Sequence, residues 1–274
     1  MTSTLGPIVF AAIDWQRPWL APLRELALPL LSEGHWRDAF NGAAKARGLV
    51  TMQGHPIRFV PQQSLPFHTA YEAYIHATGA VPTRDNLHDF FNALIWLRFP
   101  QIKRTLNALQ AAEIQSRLNA AILHSGGRGR QRDAATLFDE NAAVVVCSEV
   151  TWVAALRDHH WQEALLKKQD IFHQHCEVFL FGHALLEKLV RPYKAITAHA
   201  WILVVEPSWF AQSAAQRLTA VDLAVAAQLS VGFGSRDFTP LPVLGVPGWW
   251  PQQDAKFYDD ASVFRPMRAS QAAA

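Results

Sequence analysis

Three short stretches gather the side chains of this sequence that could do chemistry. The first, Pro82-Thr83-Arg84-Asp85-Asn86-Leu87-His88-Asp89-Phe90-Phe91-Asn92, puts a guanidinium, two carboxylates, two amides and an imidazole into the opening turns of what reads as a buried helix. Groups that polar must find partners among themselves or in a ligand if they are covered, so Arg84, Asp85, His88 and Asn92 are candidate catalytic residues. The second, Arg132 to Asn141, carries the adjacent carboxylates Asp139 and Glu140 just before a predicted strand. Such a pair could ligate a hard divalent cation, or hold a base near neutral pH if repulsion and burial raise a pKa. The third, Phe179 to Lys188, reads as strand, glycine turn and helix start, with His183 and Glu187 four apart on one helical face. An imidazole and a carboxylate one turn apart can ligate a metal or form an oriented acid–base pair, although the second histidine of a His-Glu-x-x-His motif is missing.

Each stretch also has a purely structural reading. Asp85 could cap the helix while Arg84 pairs with a carboxylate elsewhere; Asp139-Glu140-Asn141 is good turn material; and a histidine at a strand-to-helix junction can be simply hydrogen-bonded. The helical wheel helps to separate the cases. Leu87, Phe90, Phe91, Leu94 and Leu97 share one face, and Asp85, His88, Asp89, Asn92 and Trp96 the other. Trp96 and Phe99 continue the polar side with large aromatics, which a solvated face would not do. The helix is therefore expected to be covered on both sides, with His88 and Asn92 one turn apart in a semi-enclosed space.

The elements that must position these groups follow from apolar spacing and turn signals. Helices are predicted over Trp19 to Leu31, Trp36 to Arg47 and Phe67 to Ala77, with a short strand at Ile57 to Val60 and Gly79 as a helix stop. The turn from Gly79 to Arg84 leads into the polar helix, for which Asp85 or Asn86 suits the N-cap and Pro100 marks the break. A further helix runs from Gln101 to Leu123, closed by Ser125-Gly126-Gly127. Strand-length runs follow at Ala142 to Cys147, Val178 to Phe181 and Trp201 to Val205. Helical stretches lie at Val150 to Gln174, broken near Asp158-His159-His160, and at Ala184 to Val190 and Arg217 to Leu229. The segment from Pro240 to Pro251 is too rich in proline for a helix and reads as an extended strap pinned by Trp249 and Trp250.

This pattern predicts an α+β (mixed α/β) fold: a helix-rich N-terminal half, a small sheet with covering helices in the C-terminal half, and the strap near the end. The 274 residues suit one compact domain over 1–268, or two intimately packed lobes at 15–125 and 130–268, with 269–274 as a frayed tail. With 25 basic and 23 acidic residues, there is no broad electrostatic case for nucleic acid or an anionic membrane. Arg128 to Arg132 is a local basic exception that could bind one phosphate group. Cys147 and Cys176 are too few for a disulfide framework, which points to a reducing, cytoplasmic setting. No positive leader is expected at the N-terminus, and no apolar run has the roughly 20 residues that span a bilayer. Glycine-loop and Gly-x-Ser-x-Gly motifs are absent, and the scattered His159, His160, His173 and His175 read as surface residues.

The segments Pro82 to Asn92, Thr136 to Asn141, Phe181 to Glu187, Pro240 to Trp249 and Phe264-Arg265-Pro266, in that order, resemble the proteobacterial family catalogued as domain of unknown function 3025. The resemblance spans Trp15 to Pro266 and implies no activity. Two classes of function remain open. In one, a metal-assisted hydrolase, His88, Asp139, Glu140, His183 and Glu187 converge to hold Mg, Mn or Zn, and Arg84 stabilises an anionic substrate. In the other, a noncatalytic ligand- or protein-binding scaffold, the polar motifs are structural and the Trp249/Trp250 strap meets a partner.

Overall fold

A computed structural model describes residues 10–32, 34–122 and 130–267. The helix stop at 125–127, the stretch 126–129 and the tail 269–274 lie outside the described residues. The fold is α+β.

In the N-terminal half, α1 (Ala21–Leu31) and α2 (Trp36–Ala46) precede β1 (Arg58–Pro61), α3 (Tyr71–Thr78) and β2 (Ala80–Thr83). The stretch read as a turn after Gly79 is in fact this second strand, which pairs in parallel with β1. Gly79 makes the connection possible. It adopts φ +70°, and a Cβ there would meet the Pro56 carbonyl oxygen at 2.2 Å, so only glycine fits both the left-handed turn and the close approach.

The polar stretch then opens α4 (Leu87–Arg98), in which every residue from Asp89 to Leu97 is buried. This is the two-sided covering that Trp96 and Phe99 foretell. Pro100 divides α4 from α5 (Pro100–Ile122) at Phe99, whose φ −127° and ψ +61° lie outside the α region, which the residue before a proline avoids. The N-terminus of α5 is capped from a distance: Asp222 accepts the amides of Gln101 at 3.0 Å and Ile102 at 2.9 Å.

α6 (Arg130–Asn141) replaces the turn expected at Asp139-Glu140-Asn141. Ala134, Ala135 and Phe138 are fully buried, and their spacing of one, three and four sets a helical period that outweighs the turn preference of the last three residues. With no loop between, the chain passes into β3 (Ala142–Cys147), all six residues of which are buried, as befits a central strand covered on both faces. After α7 (Val150–Arg157) the helix is interrupted, with His159 at φ +57°. β4 (Cys176–Leu180), α8 (His183–Lys188), β5 (Thr197–Val204), α9 (Ala214–Val231) and β6 (Thr239–Pro242) complete the body. A capping box of Ser213 and Gln216 starts α9 three residues before the predicted helix. The sheet order is β4-β3-β5-β6, with β3 and β5 parallel and both outer pairs antiparallel.

The proline-rich strap therefore begins as an edge strand, where a missing amide donor is tolerated. Beyond it Trp249 is buried against Trp19, ring centroids 5.9 Å apart, and half-buried Trp250 stacks on Phe257. The strap's tryptophans are thus engaged by the chain itself. One hydrophobic cluster runs from Trp19 through α4 and β3 to Phe264. Among the described residues no helix is long and apolar enough to cross a membrane.

Candidate metal centre

The opening stretch divides into two halves with different tasks. One half fastens the helix start. Asn86, not Asp85, is the N-cap and accepts the Asp89 amide at 2.8 Å. Asp89 turns back to take the Arg84 amide at 2.6 Å and its guanidinium at 2.9 and 3.0 Å, so the partner of Arg84 is local. Asp85 faces the other way, accepting from Arg37 at 2.8 Å and the Trp36 indole at 3.1 Å, and is not in the wall of the cavity described next.

The other half faces that cavity, a half-enclosed space of about 300 Å³ whose wall includes Tyr71, Glu72, Arg84, His88, Asn92, Asp139, Glu140 and His183. Four helices deliver all of these groups but Arg84, which stands in the turn after β2. α3 brings Tyr71 and Glu72, α4 brings His88 and Asn92, the last turn of α6 brings Asp139 and Glu140, and the first turn of α8 brings His183. Gly182 joins the last two. A Cβ there would stand 2.5 Å from Glu140 O and Asn141 N, so its bare backbone lets the start of α8 lie directly on the end of α6.

The two imidazoles meet edge to face, Nε2 to Nε2 at 3.1 Å. Glu140 Oε2 lies 3.4 Å from His183 Nε2 and 4.0 Å from His88 Nε2. Behind them, His88 Nδ1 hydrogen-bonds Glu187 Oε2 at 3.0 Å, and His183 Nδ1 stands 3.9 Å from Asp139 Oδ2. The pair predicted on one face of α8, His183 and Glu187, thus holds His88 between them. All five residues expected to hold a metal come together. Among the described residues, His88, Glu140 and His183 form a group that could hold an ion, each offering one ligand atom. His159, His160, His173 and His175 lie elsewhere and are exposed or half-buried.

The second layer contains residues that the sequence did not single out. Lys103 of α5 is 4% exposed and donates to Asp139 at 2.6 Å and Asn92 at 2.7 Å. Asn92 donates to the Tyr71 hydroxyl at 3.1 Å, and Asn107 donates to Glu72 at 2.7 Å. Lys103, Asn107 and Gln110 recur every three or four residues, a spacing that also describes a solvated helix face; only the packing of α3 and α6 against α5 shows them buried.

Electrostatics follow from these partners. Burial pushes Asp139 upward, but the Lys103 charge, His183 and the Lys103 hydrogen bond prevail and hold it below the ordinary carboxylate value. Burial likewise raises Glu140, and its hydrogen bond and attraction to His183 bring it below the usual range. Glu72 goes the other way: burial raises it, the Asp139 charge adds to this, and Lys103 and Asn107 only partly compensate. Burial, reinforced by Glu72, raises Tyr71 well above the ordinary phenol value.

The fold and site together define an α+β protein with a histidine–carboxylate cluster at the junction of helices and a small sheet. The chain belongs to the family described as Protein of unknown function (DUF3025), whose family model matches residues 57–268 and so includes every residue of the cluster. No curated protein and no solved structure matches the chain.

Proposed function

We propose that the chain is a metal-dependent hydrolase whose cation is held by His88 Nε2, His183 Nε2 and Glu140 Oε2. The observation that carries this reading is the placement of carboxylates. His88 has Glu187 hydrogen-bonded at Nδ1, His183 has Asp139 3.9 Å from its Nδ1, and the two Nε2 atoms face each other beside a third carboxylate, Glu140. A carboxylate hydrogen-bonded at Nδ1, as Glu187 is to His88, holds the proton there and leaves Nε2 as a lone pair, the arrangement of histidine ligands in metal sites. Without a metal, and with both imidazoles neutral, a proton at His88 Nδ1 leaves His183 to donate from Nε2 and to turn the lone pair of its buried Nδ1, which has no hydrogen-bond partner, toward Asp139.

The spacing fits as well. Tetrahedral ligands at roughly 2.0–2.1 Å from zinc lie about 3.4 Å apart, close to the 3.1, 3.4 and 4.0 Å found among the three donor atoms. Two imidazoles favour zinc over magnesium, which prefers all-oxygen sites. A divalent cation supplies Lewis acidity and acidifies a bound water. Within the cavity, Glu72 is the carboxyl on the wall with a raised pKa and no salt bridge among the described residues, which suits a proton acceptor. Arg84 is committed to Asp89 and Lys103 to Asp139, so the carboxylates on the wall outnumber uncommitted cations there, which suits a neutral or cationic substrate better than an anionic one.

The test is calorimetric titration of the purified protein with Zn(II), Mn(II), Mg(II) and Fe(II), with His183→Ala as control, followed by hydrolysis of a neutral chromogenic ester. One equivalent of zinc in the wild type, lost in the variant, is expected. Glu187→Gln should weaken affinity by about 10–100-fold at unchanged stoichiometry. Substoichiometric metal in both proteins would remove the cation. Binding of Fe(II) in preference, without hydrolysis, would assign the site a different chemistry.

A further inference from the structure

The two cysteines of the chain sit directly opposite each other. Cys147 ends β3, Cys176 begins β4, and the antiparallel register pairs them. Their Sγ atoms are 3.0 Å apart, nearer than two thiols at van der Waals rest, and both side chains are buried.

The ladder fixes which kind of pair they form. The Ser148 amide donates to His175 O at one end, and the Phe181 amide to Ala142 O at the other. Hydrogen-bonded and non-hydrogen-bonded pairs alternate along an antiparallel ladder, so Cys147 and Cys176 occupy a non-hydrogen-bonded position. There the Cα atoms stand about 4.5 Å apart and side chains are closest, within the roughly 4.4–6.8 Å that a disulfide requires.

We propose that Cys147 and Cys176 form an intramolecular disulfide when the protein meets hydrogen peroxide. The inference is independent of the histidine cluster. Cys147 is the first to react: the Cys176 thiol facing it holds it below the ordinary thiol value despite burial, whereas Cys176 is pushed well up. The Cys147 sulfur attacks one peroxide oxygen, the O–O bond breaks, and the departing oxygen leaves as water with the thiol proton, giving a sulfenic acid. The Cys176 sulfur then attacks that sulfur. The S–S bond forms, the S–O bond breaks, and hydroxide leaves with the second thiol proton as water. Two thiols and one peroxide give one disulfide and two waters. Burial selects the oxidant by size: the pair lies one residue inside half-buried Ser148 and His175, within reach of a small neutral molecule and closed to a protein thiol.

The test uses the full chain treated with hydrogen peroxide, denatured, alkylated with iodoacetamide and weighed intact. The expected result is loss of both alkylatable thiols, a mass lower by two hydrogens, a Cys147–Cys176 peptide on digestion, and full reversal by dithiothreitol. Closing a loop of this length should raise Tm by about 5–10 °C. Cys176→Ser should instead carry Cys147 on to sulfinic acid at the same peroxide dose, because the resolving thiol is gone. Two alkylatable thiols after treatment, or a linkage between chains on a non-reducing gel, would overturn the proposal from the wild type alone.

Discussion

Gly182→Ala is the most informative single substitution. Gly182 has φ −59°, which alanine also adopts, so the change acts through its methyl group and not through backbone strain. That methyl would lie 2.5 Å from Asn141 N and Glu140 O and 2.6 Å from Ala142 N. These are backbone atoms that cannot rotate away. Reaching ordinary contact at 3.4 Å means moving the start of α8 off the end of α6 by about 0.9 Å. Overpacking of this kind costs about 1–3 kcal/mol, which for a chain of this size lowers Tm by about 2–5 °C. The same displacement carries His183 away from Glu140 by several times the roughly 0.2 Å tolerance of a metal site. If affinity falls about a hundredfold, zinc at a hundred times the wild-type Kd stabilises the wild type by about 2.7 kcal/mol and the variant by about 0.4 kcal/mol. Differential scanning fluorimetry with and without zinc reads both effects. An unchanged Tm would refute the steric argument, and an undiminished zinc-induced rise would refute the claim that Gly182 sets the ligand spacing.

Three other substitutions probe the surroundings. Lys103→Met leaves Asp139 as a buried carboxylate without its cation and should cost about 3–5 kcal/mol in urea unfolding, with part recovered by adding Asp139→Asn; a loss below about 1 kcal/mol would mean that the pair is effectively solvated. Asp222 is pushed up by burial from 3.8 to about 6, so its contribution is fully present below pH 4 and fades as pH rises through 6, by about 3 kcal/mol in all. Asp222→Asn, measured against wild type by thermal melts from pH 4 to pH 8, should gain in relative stability with rising pH; a flat difference would show that the carboxylate is not penalised at the α5 N-terminus. Trp249→Ala should cost about 3–5 kcal/mol because its ring is buried on Trp19, and wild-type stability in urea would show that the strap is not pinned there.

How much of this was legible in the sequence depends on whether a signal is local. The α4 helix, its coverage on both sides and the break at Pro100 follow from spacing and proline geometry, and all appear as expected. The five metal-site candidates came from three segments whose chemistry was readable although their meeting point was not. What escaped was long-range or ambiguous. β2 hid behind Gly79 and Pro82, which signal a turn even where a parallel partner converts the residues after it into strand. The end of α6 looked like a turn because Asp, Glu and Asn favour turns, and the weaker Ala134, Ala135 and Phe138 period decided it. Asp85 was read as a cap or catalyst, but its partner Arg37 lies far back in the chain. The cysteine count argued against a disulfide framework, while the register that sets the two thiols face to face is a property of the sheet alone.

The passage from α6 into β3 without an intervening loop has a consequence for access. Glu140 and His183 are anchored at the same end of one buried ladder, so thermal opening of that side must work against central backbone hydrogen bonds, and amides from Ala142 to Cys147 should exchange with solvent only on global opening. The opposite rim is built differently. Residues 61–70 are largely exposed, Phe67 is 90% exposed and His68 holds φ +60°, and this segment supplies Gln62 and Leu65 to the cavity wall. A molecule entering the cavity therefore meets one stiff side and one that yields at lower cost, and fast amide exchange confined to the rim would mark the way in.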